Sequence, residues 1–95
     1  MPLVVRLGDL CTGHGCYEPR PLITASPDYF VDGIAVGRVN DKYDQHGCST
    51  CTDHDGYISE GSTDFFVNGL GIARQGDPIS CGSHCDKHSP DFDVN

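Results

Sequence analysis

The sequence predicts a small, mainly β domain of pseudo-threefold form, built from three β-hairpin repeats. Three observations carry that expectation: an imperfect internal repeat, a turn dipeptide inside each complete copy, and a histidine- and cysteine-rich loop beside every copy. The stretch "SPDYFVDGIAVGRVND" (26–41) aligns without gaps on "STDFFVNGLGIARQGD" (62–77). Ser26/Ser62, Asp28/Asp64, Phe30/Phe66, Val31/Val67, Gly33/Gly69, Arg38/Arg74 and Asp41/Asp77 are identical. A third copy is split between the ends of the chain. "VVRLGD" (4–9) matches "IARQGD" (72–77), and "SPDFDVN" (89–95) matches "STDFFVN" (62–68). The chain is therefore read as one domain, 1–95, with units at about 26–41 and 62–77 and a third shared between 4–9 and 89–95. Such a permuted repeat requires the two termini to lie side by side, and three copies close most naturally around a threefold axis.

Within each complete copy, Asp32-Gly33 and Asn68-Gly69 are type I′ turn dipeptides between short β-favouring runs. The split copy needs no turn, because the chain break falls there. Gly8, Asn40 and Gly76 occupy equivalent positions, and glycine and asparagine best tolerate the left-handed region, so a positive φ is expected at each. The aspartates that follow (Asp9, Asp41, Asp77) are expected to cap turns by accepting backbone amides. The arginines of the motif (Arg6, Arg38, Arg74) have a solvated face as their plainest reading. No segment shows capped helical periodicity. Val31, Ile34, Val36, Phe66, Val67, Leu70 and Ile72 are expected to line the interior, although periodicity does not fix which face each takes.

Composition narrows the function. The chain has 95 residues, a formal charge of −8 and only six basic residues, scattered singly. Contact with nucleic acid or an anionic membrane needs clustered Lys and Arg, so neither partner is expected. No basic region followed by an apolar run marks a signal peptide, and no apolar run is long enough to span a membrane. Synthesis in the cytoplasm is expected. There, six cysteines favour metal ligands or free thiols over disulfides.

The loops 10–25, 42–61 and 78–88 each carry histidine. They hold "CTGHGC" (Cys11, His14, Cys16), "DQHGCSTCTDH" (His46, Cys48, Cys51, His54) and "CGSHCDKH" (Cys81, His84, Cys85, His88). On a threefold axis the loops converge at one end. One ligand from each of the first two and two from the third would close a tetrahedral shell, which suits a structural zinc ion. His14 and His46 both precede glycine, and Cys81 and His84 have the spacing for one turn to supply two ligands. Other readings stay open. His88 or Cys85 could replace His84, and His54 could replace His46. Cys48, Cys51, Cys81 and Cys85 could form a zinc ribbon, or the cysteines a disulfide framework. A small metal-dependent hydrolase or a redox-active cysteine-rich domain are the alternative functions, but no residue is singled out as a base or nucleophile, and no enzyme activity is expected.

Repeated S-P-D-x-F-V-N-G followed by A-x-R-x-G-D, with "GDLCTGHGC" early and "GDPISCGSH" late, resembles the PAAR-repeat family over about residues 3 to 95. Only Ala73-Arg74 keeps the Ala-Arg pair; Gly37-Arg38 and Val5-Arg6 depart from it, and Asn40 stands for a glycine. The resemblance implies a small cone with metal-stapled loops at its vertex. Such cones cap and sharpen the trimeric β-helical spike of contractile injection machines, in phage virion tails or type VI secretion systems, for membrane penetration. It implies one zinc ion, rather than iron, held by His14, His46, Cys81 and His84. It further implies a VgrG-like or phage central spike as partner, one chain meeting three. Many members of that family carry toxin domains, and because the resemblance takes up about residues 3 to 95, any effector cargo here is expected to be separate. The site of action would be the tail tip or secretion apparatus, outside the producing cell, with the target membrane met only on penetration.

Overall fold

The computed structural model describes residues 2–13, 19–48, 51–80 and 82–94, with backbone alone for 45–48 and 51–55. It contains the strands β1 (Phe30–Val31), β2 (Ile34–Ala35), β3 (Lys42–Cys48), β4 (Cys51–Tyr57), β5 (Phe66–Val67) and β6 (Leu70–Gly71), with no helix among the described residues. They pair as three separate antiparallel hairpins, β1-β2, β3-β4 and β5-β6. The protein is all β, as the repeat predicted, and measures 39 × 24 × 21 Å.

Two hairpins are built by the turn dipeptides. Asp32 and Gly33 have φ of 56° and 77°, and Asn68 and Gly69 have 55° and 78°. Positive φ at both central residues is what a type I′ turn demands, and its twist matches the flanking strands. Phe30 therefore pairs with Ala35, and Phe66 with Gly71. The chain ends supply the matching pair, where Leu3 bridges Asp93 and the Val4 amide donates to the Phe92 carbonyl at 2.9 Å. Gly8, Asn40 and Gly76 have φ of 88°, 79° and 89°, as their side chains predicted.

Hydrogen bonds between these pieces run in rings. The Val5 amide donates to the Ala73 carbonyl, Ala73 to Gly37, and Gly37 back to Val5, at 3.0, 2.9 and 2.8 Å. One step outward, Leu7 donates to Ala35, Val39 to Gly71 and Gln75 to Leu3. A closed ring of three like bonds defines a pseudo-threefold axis. It also accounts for the uneven motif. A Cβ built on Gly37 would stand 3.5 Å from the Ala73 Cβ and 2.8 Å from Leu22 Cδ2. Close packing there leaves Gly37 no room for a side chain, whereas the equivalent positions carry Val5 and Ala73.

The core is layered along that axis. Val4, Val36 and Ile72 form one layer with Val31, Val67 and Val94, flanked by Tyr29, Phe65 and Phe92. The rings meet edge to face, Tyr29–Phe65 at 5.9 Å and Phe65–Phe92 at 6.4 Å. A second layer holds Val5, Ala73, Leu22, Ile58, Cys85, Cys11, Tyr43 and Ile79. Val31, Val36, Val67 and Ile72 are buried as expected, and Ile34 and Leu70 are half-buried. Phe66 is a correction: it is 59% exposed, like Phe30 at 56%. Side chains alternate along a strand, and inward Val31 and Val67 send these neighbours outward.

The long hairpin β3-β4 departs from the loop expected over 42–61. "KYDQHGC" and "CTDHDGY" carry no apolar alternation, so neither reads as a strand. Lys42 pairs with Tyr57, and Tyr43, paired with Gly56, enters the core.

Candidate metal centre

The loops leave the core from three equivalent clasps. The Asp9, Asp41 and Asp77 carboxylates each accept the backbone amide of the arginine three residues earlier, at 2.8 Å in every case. Each also accepts from that arginine's guanidinium, at 3.3, 3.0 and 3.2 Å from Nε. The capping expectation holds, and the arginines are partners of the caps rather than a solvated face. Their aspartate partners hold the Arg38 and Arg74 guanidinium groups above the ordinary range. The clasps also reach between units. Arg38 and Ser26 bind the Asn68 side chain at 3.1 and 2.7 Å, while Ser89 donates to Asp32 at 2.7 Å with Arg6 3.6 Å away. The Asp32 and Asn68 hairpin tips are thus each held by a neighbouring copy.

Beyond the clasps, the loops start in register. Leu22 bridges Tyr43, Ile58 bridges Ile79, and Cys11 bridges Cys85. Cys11, Tyr43 and Ile79 each lie two residues past a clasp aspartate, so His14 and His46 each lie five past theirs. Thr12 and Ser83 join the first and third loops through their hydroxyls at 3.1 Å, and Ser83 lies 3.4 Å from the Gly13 carbonyl. The residue before His14 therefore meets the second residue after Cys81.

His14 and Cys81 themselves, with Cys16, lie outside the described residues. His46 is on β3, paired in register with His54, and Cys48 with Cys51; their side chains lie outside the description. His84 bridges Pro78, and its amide donates to Thr12 Oγ1 at 3.0 Å. It is exposed between buried Ser83 and Cys85, on the outer face of its strand. Cys85 fills the place that Leu22 and Ile58 take in the other copies, and burial pushes its thiol up to about 12. His88 donates from Nδ1 to the Ser89 carbonyl at 2.7 Å, and its own carbonyl accepts from Arg6. Among the described residues, no three His, Cys, Asp or Glu side chains come together.

Nothing in the sequence signals Tyr43, whose buried hydroxyl has no nitrogen or oxygen partner among the described residues and lies against the Cys85 thiol. Burial raises its pKa above the ordinary 10.0. Nor does the sequence reveal the Thr12–Ser83 link, which depends on two loops meeting in space.

The PAAR motif model matches residues 12–85, from the first clasp's loop to the third. The chain belongs to the PAAR-motif family. Proteins of this family bind the spikes of contractile injection machines and can carry effector domains. One similar curated protein is double-stranded DNA deaminase toxin A of Burkholderia cenocepacia (strain H111), 33% identical over 64 residues. The match covers 65% of this chain and 4% of that toxin, so the chain spans a small part of its relative's length.

Proposed function

We propose that this chain caps and sharpens the tip of a trimeric β-helical spike for membrane penetration, without enzymatic activity. The observation that carries the reading is the closed ring of hydrogen bonds through Val5, Gly37 and Ala73. It lets one chain present three similar edges to three identical chains, so the expected assembly is one cap per spike trimer. The short hairpin strands and paired termini offer backbone groups that could continue the spike's own pairing. Net charge of −8 argues against a nucleic-acid partner. The family is common to phage tails and type VI secretion, and the reading holds for both, with the cap delivered outside the producing cell. The relative's deaminase activity is not part of the role proposed for these 95 residues, which match 4% of that toxin.

We further propose one zinc ion held by His14, His46, Cys81 and His84. The donor set fits zinc, with neutral imidazoles and one thiolate, and its supporting observation is the Thr12–Ser83 link beside His14 and Cys81. The bound ion would cross-link three loops, so its binding energy would add to folding energy. The test is metal analysis with substitution. The wild type should hold one zinc per chain, and His14→Ala or Cys81→Ala should lose it together with thermal stability. His84→Ala is the sharpest arm, given its outward position. Full zinc retention there would give the fourth place to another residue, and full retention in all three variants would sink the site.

A further inference from the structure

Cys11 and Cys85 stand outside the proposed ligand set, yet they are the two partners of one bridge. The Thr12 amide donates to the His84 carbonyl at 2.9 Å, and the Asp86 amide donates to the Leu10 carbonyl at 3.2 Å. Bonds that flank a pair in this way make it the non-hydrogen-bonded kind, with Cα atoms roughly 4.5 Å apart and side chains on one face. That spacing lies within the roughly 4.4–6.8 Å that disulfides span. Both side chains are buried in the same core layer, each 2% exposed, and both thiols are free. The two equivalent bridges pair Leu22 with Tyr43 and Ile58 with Ile79. Cysteine thus occupies both sides of one bridge and neither side of the others.

The bridge that carries the cysteines belongs to the split copy. Cys11 follows its second half (4–9), and Cys85 precedes its first half (89–95). In the complete copies the chain runs unbroken from one bridge partner to the other through the hairpin turn. Here it does not. We propose that Cys11 and Cys85 close a cross-strand disulfide that supplies the covalent continuity the split copy lacks, once the protein meets an oxidising disulfide such as oxidised glutathione. One cysteine thiolate attacks the glutathione disulfide, forming a mixed disulfide and releasing one glutathione thiolate. The second cysteine thiolate then attacks the protein-bound sulfur and releases the other glutathione. The two thiol protons pass to the two released glutathione molecules, so two cysteines are oxidised as one disulfide is reduced. Burial confines the first attack to the folding chain, or to openings that break the Thr12–His84 and Leu10–Asp86 bonds. The closed loop is long, which favours a large restriction of the unfolded chain.

The test refolds the full, reduced chain with zinc in a buffer of oxidised and reduced glutathione, then alkylates the remaining thiols. Fragmentation of unreduced peptides assigns the pairs, since Cys16 and Cys81 lie near the two cysteines in sequence. The expected result is a Cys11–Cys85 cross-link, a mass loss of two hydrogen atoms, and a melting temperature that falls when dithiothreitol is added. Cys11→Val and Cys85→Val keep the layer apolar and should abolish both the cross-link and the redox-dependent melting shift. Alkylation of both cysteines in the refolded wild type, their pairing elsewhere, or an unchanged redox shift in the valine variants would overturn the proposal. Zinc content is read separately, so loss of the metal reading would leave this outcome intact.

Discussion

Asp41 shows how much one side chain can hold. Its carboxylate accepts the Arg38 amide, the Arg38 guanidinium and the Thr24 hydroxyl, and it is 4% exposed. Asp41→Ala takes the carboxylate from the half-buried Arg38 guanidinium, which keeps only Asn68 and the Ala25 carbonyl, and leaves the Arg38 amide without its acceptor; it should cost about 1–3 kcal/mol in urea unfolding. Tyr43→Phe should do the opposite. It removes a buried hydroxyl whose one neighbouring partner among the described residues is the weakly bonding Cys85 thiol, so stability should hold or rise by up to about 1 kcal/mol. The same residue sets an alkaline limit. The folded phenol keeps its proton more tightly than the unfolded one, so its contribution is full below pH 10.0 and lost as the pH rises beyond it. Tyr43→Phe should flatten that part of the pH–stability curve. At the acid end, the Asn68 amide and then the Ser26 hydroxyl hold the Asp28 carboxyl below 3.8. The folded carboxyl binds its proton less tightly than the unfolded one, so its contribution is full above 3.8 and lost as the pH falls through the lowered value. Asn68→Gly, which keeps the positive φ, should reduce the loss of stability on acidification.

The hairpins and their rings make separate demands. A Cβ on Gly71 would meet the Ser62 carbonyl oxygen at 2.5 Å, so Gly71→Ala must push two backbones apart. Gly69 has open space but a φ of 78°, and Gly69→Ala should cost only about 1 kcal/mol. A larger loss at Gly71 than at Gly69, read from denaturation midpoints, is the expected order. Val5→Ala should open the axis and cost about 1–3 kcal/mol. Gly37→Ala should also destabilise, because its Cβ would stand 2.8 Å from Leu22 Cδ2. The elements differ in how legible they were. Asp32-Gly33, Asn68-Gly69 and the Gly8, Asn40 and Gly76 positions were plain in the sequence, because local backbone sterics dictate them. The burial of Tyr43 and the outward turn of Phe66 were not, because each depends on which face of a short strand meets the axis. The long β3-β4 hairpin was illegible for a related reason: it carries polar residues and glycine instead of an alternating apolar face. His14 and Cys81 were nominated from spacing and lie outside the described residues; spacing along the chain does not by itself bring distant loops together.

At the scale of the molecule, one chain reproduces threefold geometry without being a trimer. The repeated bonds of Val5, Gly37 and Ala73 fix the axis, and equivalent clasps at Asp9, Asp41 and Asp77 open the three loops. Divergence among the copies is what a single chain permits. Valine, glycine and alanine share one layer, and of the three equivalent bridges that open the loops one carries two cysteines. No helix among the described residues is long and apolar enough to cross a membrane. The most direct test mixes the full chain with the trimeric β-helical spike protein of the same injection machine and weighs the complex by native mass spectrometry. The account predicts one cap bound to three spike chains. A complex with three caps per trimer, or no complex at all, would contradict it.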